Sequence, residues 1–505
     1  MAEAKRKIVI VGGGIAGLCA GVYGLRSGYD VELVEMHDRL GGLATSWRRG
    51  PYTFETCLHW LVGSDPSGRM NAIWREVFDI DRLRFVHPEE FVRLEGAEGE
   101  RLVVYTDPDR LEAEFLRIAP EDQQEIRRFI AGVRELRDFD LPEFPHSLAE
   151  WMKAIAALRH LPALMHWGGM TLASYSEHFK NSLLRRIFLG DLRELSAITL
   201  VMTLAWMARG DGDYPIGGSL AVIQPIADNF LNLGGRVRLG ARVDEIVVEG
   251  DAAVGVRLAD GAEVRGDWVV SAADGHATIH DLLHGRYHDN KIDAAYGAFK
   301  PFPSYLQVSL GVAAALDGQP RHVTYLLDAP IEVDPETSLG HLSFRIFNFD
   351  PTFAPPGHTA VTCLILTRNV DYWTSLRQDD RPRYDSEKNR VAQAAINVLD
   401  RRIPGLRRAV EVVDVSTPAT VVRYTGNWKG SMEGWLLTPR TGSRPLPMSL
   451  PGLDRFLMVG QWVSPGGGLP GGLITARSAL RKLVRSDGRA FLAGTGGVRA
   501  EGIAA

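Results

Sequence analysis

Cysteine is scarce in this sequence: 505 residues carry only Cys19, Cys57 and Cys363. They lie far apart and no CxxC pair occurs, which argues against a disulfide framework, a zinc site or any other metal centre. A reducing, cytoplasmic setting is the expectation. Long apolar runs are lacking too. None reaches the roughly 18–20 residues that a spanning helix needs, so no integral membrane segment is expected. Nor is there a strong charge of either sign: the net charge is −5 and 24% of residues are charged. That balance excludes a basic nucleic-acid arm and an acidic disordered chain, so no nucleic-acid partner is expected.

What remains is a chain that is 45% apolar, rich enough for large cores and too long for one ordinary domain. Its first residues, MAEAKRKIVIVGGG, place only four apolar residues before glycine, which reads as a strand and not as a signal peptide. Ile8–Val11 is short, apolar and β-branched, the pattern of a buried parallel strand. Gly12, Gly14 and Gly17 then give G-x-G-x-x-G, Leu18 to Ser27 reads as a helix ended by Gly28, and a second strand, Asp30–Val34, ends on Glu35. This β-α-β unit is a dinucleotide fingerprint. Gly12 permits the turn, Gly14 lets backbone approach a pyrophosphate, and Gly17 lets helix and strand pack closely. Ile15 and Ala16 open a helix whose free N–H groups face that pyrophosphate. Glu35 is placed to accept ribose hydroxyls and disfavours a 2′-phosphate.

After Glu35 comes MHDRLGGLATSW, and here the sequence resembles the FAD-dependent amine oxidase and phytoene desaturase family. The resemblance implies that Gly41, Gly42 and Leu43 lie against the flavin end of the cofactor. A second block, YPIGG through "SAAD", is similar to the family's second cofactor segment and implies that Val243 holds the adenine through its backbone. A third, GQWVSPGGGLPGGLITARSAL, implies that Gly460, Gln461, Gly468, Leu469, Pro470 and Gly471 form the last part of the FAD site, with a helix N-terminus aimed at the flavin. Two positions depart from the family. Gln461 stands where an acid is usual, and Phe54–Glu55–Thr56–Cys57 lacks a glycine after the acid. The run TCLHWLVGS therefore looks closer to the carotenoid isomerase and retinol saturase branch. His59 within it is the candidate acid or base, and Arg423–Tyr424 is a further candidate lining pair.

The implied fold is α/β: a discontinuous Rossmann-like FAD-binding domain of the glutathione reductase type, with a mixed α+β substrate domain. Residues 1–75, 215–290 and 440–490 are assigned to the first; residues 76–214 and 291–439 to the second; residues 491–505 to a flexible tail. The first insertion reads as helical, with Pro108, Pro120, Pro142 and Pro162 at boundaries. The second reads as a mixed sheet under helices. Two apolar stretches, from Ile155 and from Leu195, suit core helix, tunnel wall or a patch contacting a membrane surface. Basic pairs at Arg401–Arg402, Arg407–Arg408 and Arg481–Lys482 suit anionic headgroups or solvent. Glycine pairs such as Gly168–Gly169 and Gly496–Gly497 lack the flanking elements of a second dinucleotide site.

The expected function is FAD-dependent oxidoreduction of an apolar polyene: desaturation, saturation or cis-trans isomerisation of a carotenoid or retinoid. An amine or porphyrinogen oxidase is the enzymatic alternative. A lipid-binding escort without flavin is the alternative of another class.

Overall fold

The computed structural model describes residues 5–140, 152, 155 and 157–494. Pro142 and Gly496–Gly497 lie outside the described residues.

Five strands pair in parallel, in the order Phe456–Met458, Trp268–Ser271, Lys7–Val11, Asp30–Val34, Arg236–Arg238. They come from three separated stretches of sequence, so the Rossmann-like sheet is discontinuous. The strands Lys7–Val11, Trp268–Ser271 and Phe456–Met458 read as nearly unbroken apolar runs, as strands buried on both faces do. The helix Ile15–Arg26 packs so tightly that a Cβ on Gly17 would stand 2.0 Å from the carbonyl oxygen of Gly12. A three-stranded antiparallel meander, Val243–Glu249, Ala252–Leu258 and Glu263–Arg265, stands beside this sheet.

A second sheet has seven strands, in the order Val410–Ser416, Ser304–Val312, Thr359–Thr367, Thr337–Ile346, His322–Asp334, Glu90–Glu95, Arg101–Tyr105. It is mixed: Glu90–Glu95 joins His322–Asp334 in parallel, while the other pairs are antiparallel. One apolar core forms between this sheet and the helices Val370–Asp379 and Arg381–Arg402. Another gathers the first insertion's helices around Phe115, Phe129 and Trp167.

Two expectations need correction. The first insertion is not wholly helical: Glu90–Glu95 and Arg101–Tyr105 pair as a hairpin that extends the seven-stranded sheet, burying Val92 and Leu94 of the first strand and Leu102, Val103 and Val104 of the second. The tail does not begin at residue 491. Phe491 lies against Tyr23, with ring centroids 5.4 Å apart, and Arg26 donates to the carbonyl of Ala493 at 2.7 Å. Those contacts bind the chain to the first helix through residue 493.

Candidate active site

Between the two sheets lies one continuous cavity of about 3020 Å³. Gly12, Gly14, Ile15, Ala16 and Glu35 border it, as do Gly41, Gly42 and Leu43. From the later segments come Val243, Gly460, Gln461, Gly468, Leu469, Pro470 and Gly471, and His59 reaches it too. Gly17 does not border it; its part is the helix–strand contact described above.

The glycines shape one cradle from distant parts of the chain. Gly41 donates its N–H to the carbonyl of Gly13 at 2.9 Å, and a Cβ on Gly42 would come within 3.2 Å of the Gly14 Cα. A Cβ on Gly14 would meet protein atoms only at 3.9 Å. That position is thus open within the protein, and its freedom from a side chain serves whatever occupies the cradle. Glu35 closes one end. Its carboxylate accepts the N–H groups of Gly13 at 2.7 Å and His37 at 2.9 Å, which fixes it at the cavity wall with lone pairs to spare. His37 in turn stacks on Tyr424 at 4.8 Å, so the Arg423–Tyr424 pair stands at the Glu35 end. Opposite, the helix Gly468–Ser486 begins three residues earlier than Gly471 and presents its unpaired N–H groups to the cavity. Thr475 ties it to the last strand by accepting the Gly460 N–H at 2.9 Å.

Glu55 organises the next part of the wall. It accepts the Ser219 N–H at 2.8 Å and hydroxyl at 2.7 Å, and the N–H groups of Cys57 at 2.9 Å and Leu58 at 3.1 Å. Burial raises its pKa, opposed by these bonds. Glu55 thus fixes the loop that carries His59. His59 itself is held neutral: burial, then the charge of Arg345, pushes its pKa well below the usual histidine value. Neutral imidazole offers one ring nitrogen as acceptor and one N–H as donor. Burial likewise pushes the Cys57 thiol up, which removes it as a nucleophile.

A different group has the right acidity. Glu433 borders the cavity with no hydrogen-bond or ionic partner among the described residues, and burial raises its pKa to about 7. Its backbone packs on the third glycine segment, where a Cβ on Gly467 would be 2.2 Å from the Glu433 carbonyl oxygen. Nothing in the local sequence GSMEGW marks it; only enclosure does.

Residues 15–483 match the family described as flavin containing amine oxidoreductase. The chain belongs to that family.

This flavin-dependent oxidoreductase is 26% identical over 496 residues to phytoene desaturase (neurosporene-forming) of Rhodobacter capsulatus, covering 93% of this chain and 92% of that one. It is 24% identical over 494 residues to the chloroplastic prolycopene isomerase of Arabidopsis thaliana, covering 92% and 80%. Among solved structures, cyclohexylamine oxidase of Brevibacterium oxydans superposes with a TM-score of 0.58 at 16% identity, covering 95% of this chain and 99% of that one. The amine oxidase likeness establishes fold alone. The cofactor is FAD: the family is flavin-containing, and the cradle fits a dinucleotide, with Gly14 open and Glu35 pre-set for an adenosine ribose.

The two apolar stretches differ in placement. Ile198, Leu200, Met202 and Trp206, on the helix Ala197–Ala208, wall the cavity. In the stretch from Ile155, by contrast, Ile155 (62%), Leu158 (60%) and Met165 (69%) are exposed, together with Met152 just before it. Of the basic pairs, Arg402 is tied to the carbonyls of Gly96 at 2.6 Å and Leu326 at 3.2 Å. Among the described residues, no helix is long and apolar enough to cross a membrane and no three His, Cys, Asp or Glu side chains gather as a metal site.

Proposed function

We propose that this protein oxidises, reduces or isomerises carbon–carbon double bonds of an apolar polyene of the carotenoid or retinoid class. One observation carries the reading: the FAD cradle opens without a partition into a cavity walled by the apolar helix Ala197–Ala208. Such a wall suits an apolar chain lying beside the cofactor. The desaturase and isomerase names of the relatives agree. In this reading residues 1–75, 215–290 and 440–490 hold the FAD, and residues 76–214 and 291–439 enclose the substrate.

Bound flavin supplies hydride exchange with a C–H bond, for which close approach is the main requirement. The chain's part is to exclude water, to align the polyene along the Ala197–Ala208 helix and to carry a proton on Glu433. Below pH 7 that carboxyl is protonated and can donate; above it, the carboxylate can accept.

The loop from Thr56 to Ser64 favours rearrangement or saturation over desaturation, and reduced FAD is then the active form. A cis-polyene incubated under argon with dithionite is expected to give isomerised or saturated product, with little from the oxidised protein alone. Product only from oxidised protein plus a quinone, with a longer conjugated chromophore, would establish desaturation instead.

The exposed side chains of Met152, Ile155, Leu158 and Met165 support contact with a membrane surface from which such a substrate is drawn. Flotation with anionic liposomes should carry the protein upward, and Leu158→Ser with Met165→Ser should leave it at the bottom. Wild type remaining at the bottom as well would remove the membrane from the account.

A further inference from the structure

One face of the seven-stranded sheet forms part of the cavity wall, and that wall is not uniformly apolar. Leu364 and Leu366 lie along it, but the two neighbouring strands pair His322 with Arg345 and Thr324 with Ser343, and all four border the cavity. The Thr324 and Ser343 hydroxyls are 2.8 Å apart. His322 Nδ1 donates to the carbonyl of Phe91 at 3.1 Å, which leaves Nε2 with its lone pair. Arg345 is the unusual member. It makes no ion pair or hydrogen bond with any described residue, and the surface it retains faces the cavity. Tyr214 and then Glu55 act to raise its pKa, and Glu55 is already engaged by Ser46, Cys57, Leu58 and Ser219.

A half-buried guanidinium without a bonded counter-charge is costly, and a ligand entering the cavity can complete it. A pure hydrocarbon offers nothing to such a group, so the substrate must. We propose that Arg345, with the Thr324–Ser343 hydroxyl pair beside it, receives a carboxylate at one end of an otherwise apolar polyene chain. This rests on the reading that the cavity takes an apolar chain, and it narrows that substrate to a polyene acid. A carboxylate is the fitting head group because its two oxygens match the guanidinium fork, and the hydroxyls can donate to the lone pairs left over. Burial lowers the pKa of Arg345 to about 9, which leaves it cationic at neutral pH, and an anion beside it would raise that value again. The same anion would relieve the repulsion that Arg345 exerts on His59 and His322, so both histidines would become easier to protonate when the site is filled.

Binding of parinaric acid, a fluorescent tetraene fatty acid, and of its methyl ester to the FAD-loaded protein at pH 8 tests this. Wild type is expected to bind the acid about tenfold or more tighter than the ester. Arg345→Gln should remove that preference by weakening the acid alone, and Arg345→Lys should restore part of it. Unchanged ester affinity and flavin content show that the variant is folded, and the wild-type acid-to-ester ratio decides the matter even without a variant. Equal binding of acid and ester by wild type, or equal weakening of both in Arg345→Gln, would overturn the head-group assignment while leaving the apolar cavity intact. If neither probe binds wild type, the apolar-substrate reading falls and this proposal with it.

Discussion

Gly14→Val is expected to yield a folded, colourless protein. A Cβ at this position meets nothing in the protein closer than 3.9 Å, so the fold should bear the branched side chain with little loss. The cradle should not, because the new methyl groups occupy the space through which backbone reaches the pyrophosphate. Flavin absorbance per protein should fall to near zero, while the melting temperature of the variant matches that of flavin-stripped wild type. Gly17→Ala is the contrast. Its Cβ would sit 2.0 Å from the Gly12 carbonyl oxygen, so the helix must move off the strand and the fold itself should suffer. Gly14→Val that stays yellow would separate the cradle from the cofactor; Gly14→Val that fails to fold would show that the opening at this position is needed by the protein alone.

The second large effect is expected at Glu433. Glu433→Gln keeps the shape and removes the titratable proton, and loss of a general acid or base typically lowers turnover about 10²–10⁴-fold. The limb of the pH–rate profile near pH 7 should vanish with it, while flavin content is unchanged. Stability should move the other way. Burial raises this carboxyl from 4.5 to about 7 in the folded chain. Between those values the folded state binds a proton that the unfolded chain has lost, so stability falls as pH rises through the window. Above pH 7 the whole penalty, roughly 3 kcal/mol at about 1.36 kcal/mol per unit, is present. Glu433→Gln should therefore melt higher than wild type at pH 8, with the gain shrinking towards pH 4.5. A functional group held against stability is a recurring compromise. Unchanged turnover with a raised melting temperature would make Glu433 a buried liability and not a proton carrier.

The cofactor end of the site was legible because its demands are local. A backbone that must pass close to a phosphate needs glycine, and an acid must end the second strand, so the β-α-β unit ending in Glu35 announces itself within thirty residues. The YPIGG and GGGLPGG segments are legible for the same reason. Part of the parallel sheet followed from them, because Lys7–Val11 and Phe456–Met458 come just before the first and last glycine segments. The substrate end resisted reading because its chemistry depends on what is missing around a side chain. Arg345 looks like any outward residue of HLSFRIFNF, and Glu433 like any acid in a loop. Their importance comes from enclosure without a partner, which neither spacing nor composition encodes. His59 shows the converse: its position drew attention, yet burial beside Arg345 leaves it neutral. The hairpin Glu90–Glu95 and Arg101–Tyr105 was hidden for another reason. Its partner strand, His322–Asp334, is more than two hundred residues away, and nothing local signals a parallel pairing across that distance.

The central claim is that FAD and an apolar polyene meet in this one cavity and that the polyene is chemically changed there. This is tested by chromatography of a cis-carotenoid and of a cis-polyene acid, each incubated anaerobically with dithionite and, in turn, with the yellow protein, the flavin-stripped protein and the stripped protein given FAD. Altered polyene is expected with the first and third, and unaltered polyene with the second. A polyene left intact by the yellow protein, in this reduced state and equally in the oxidised state with a quinone acceptor, would contradict it.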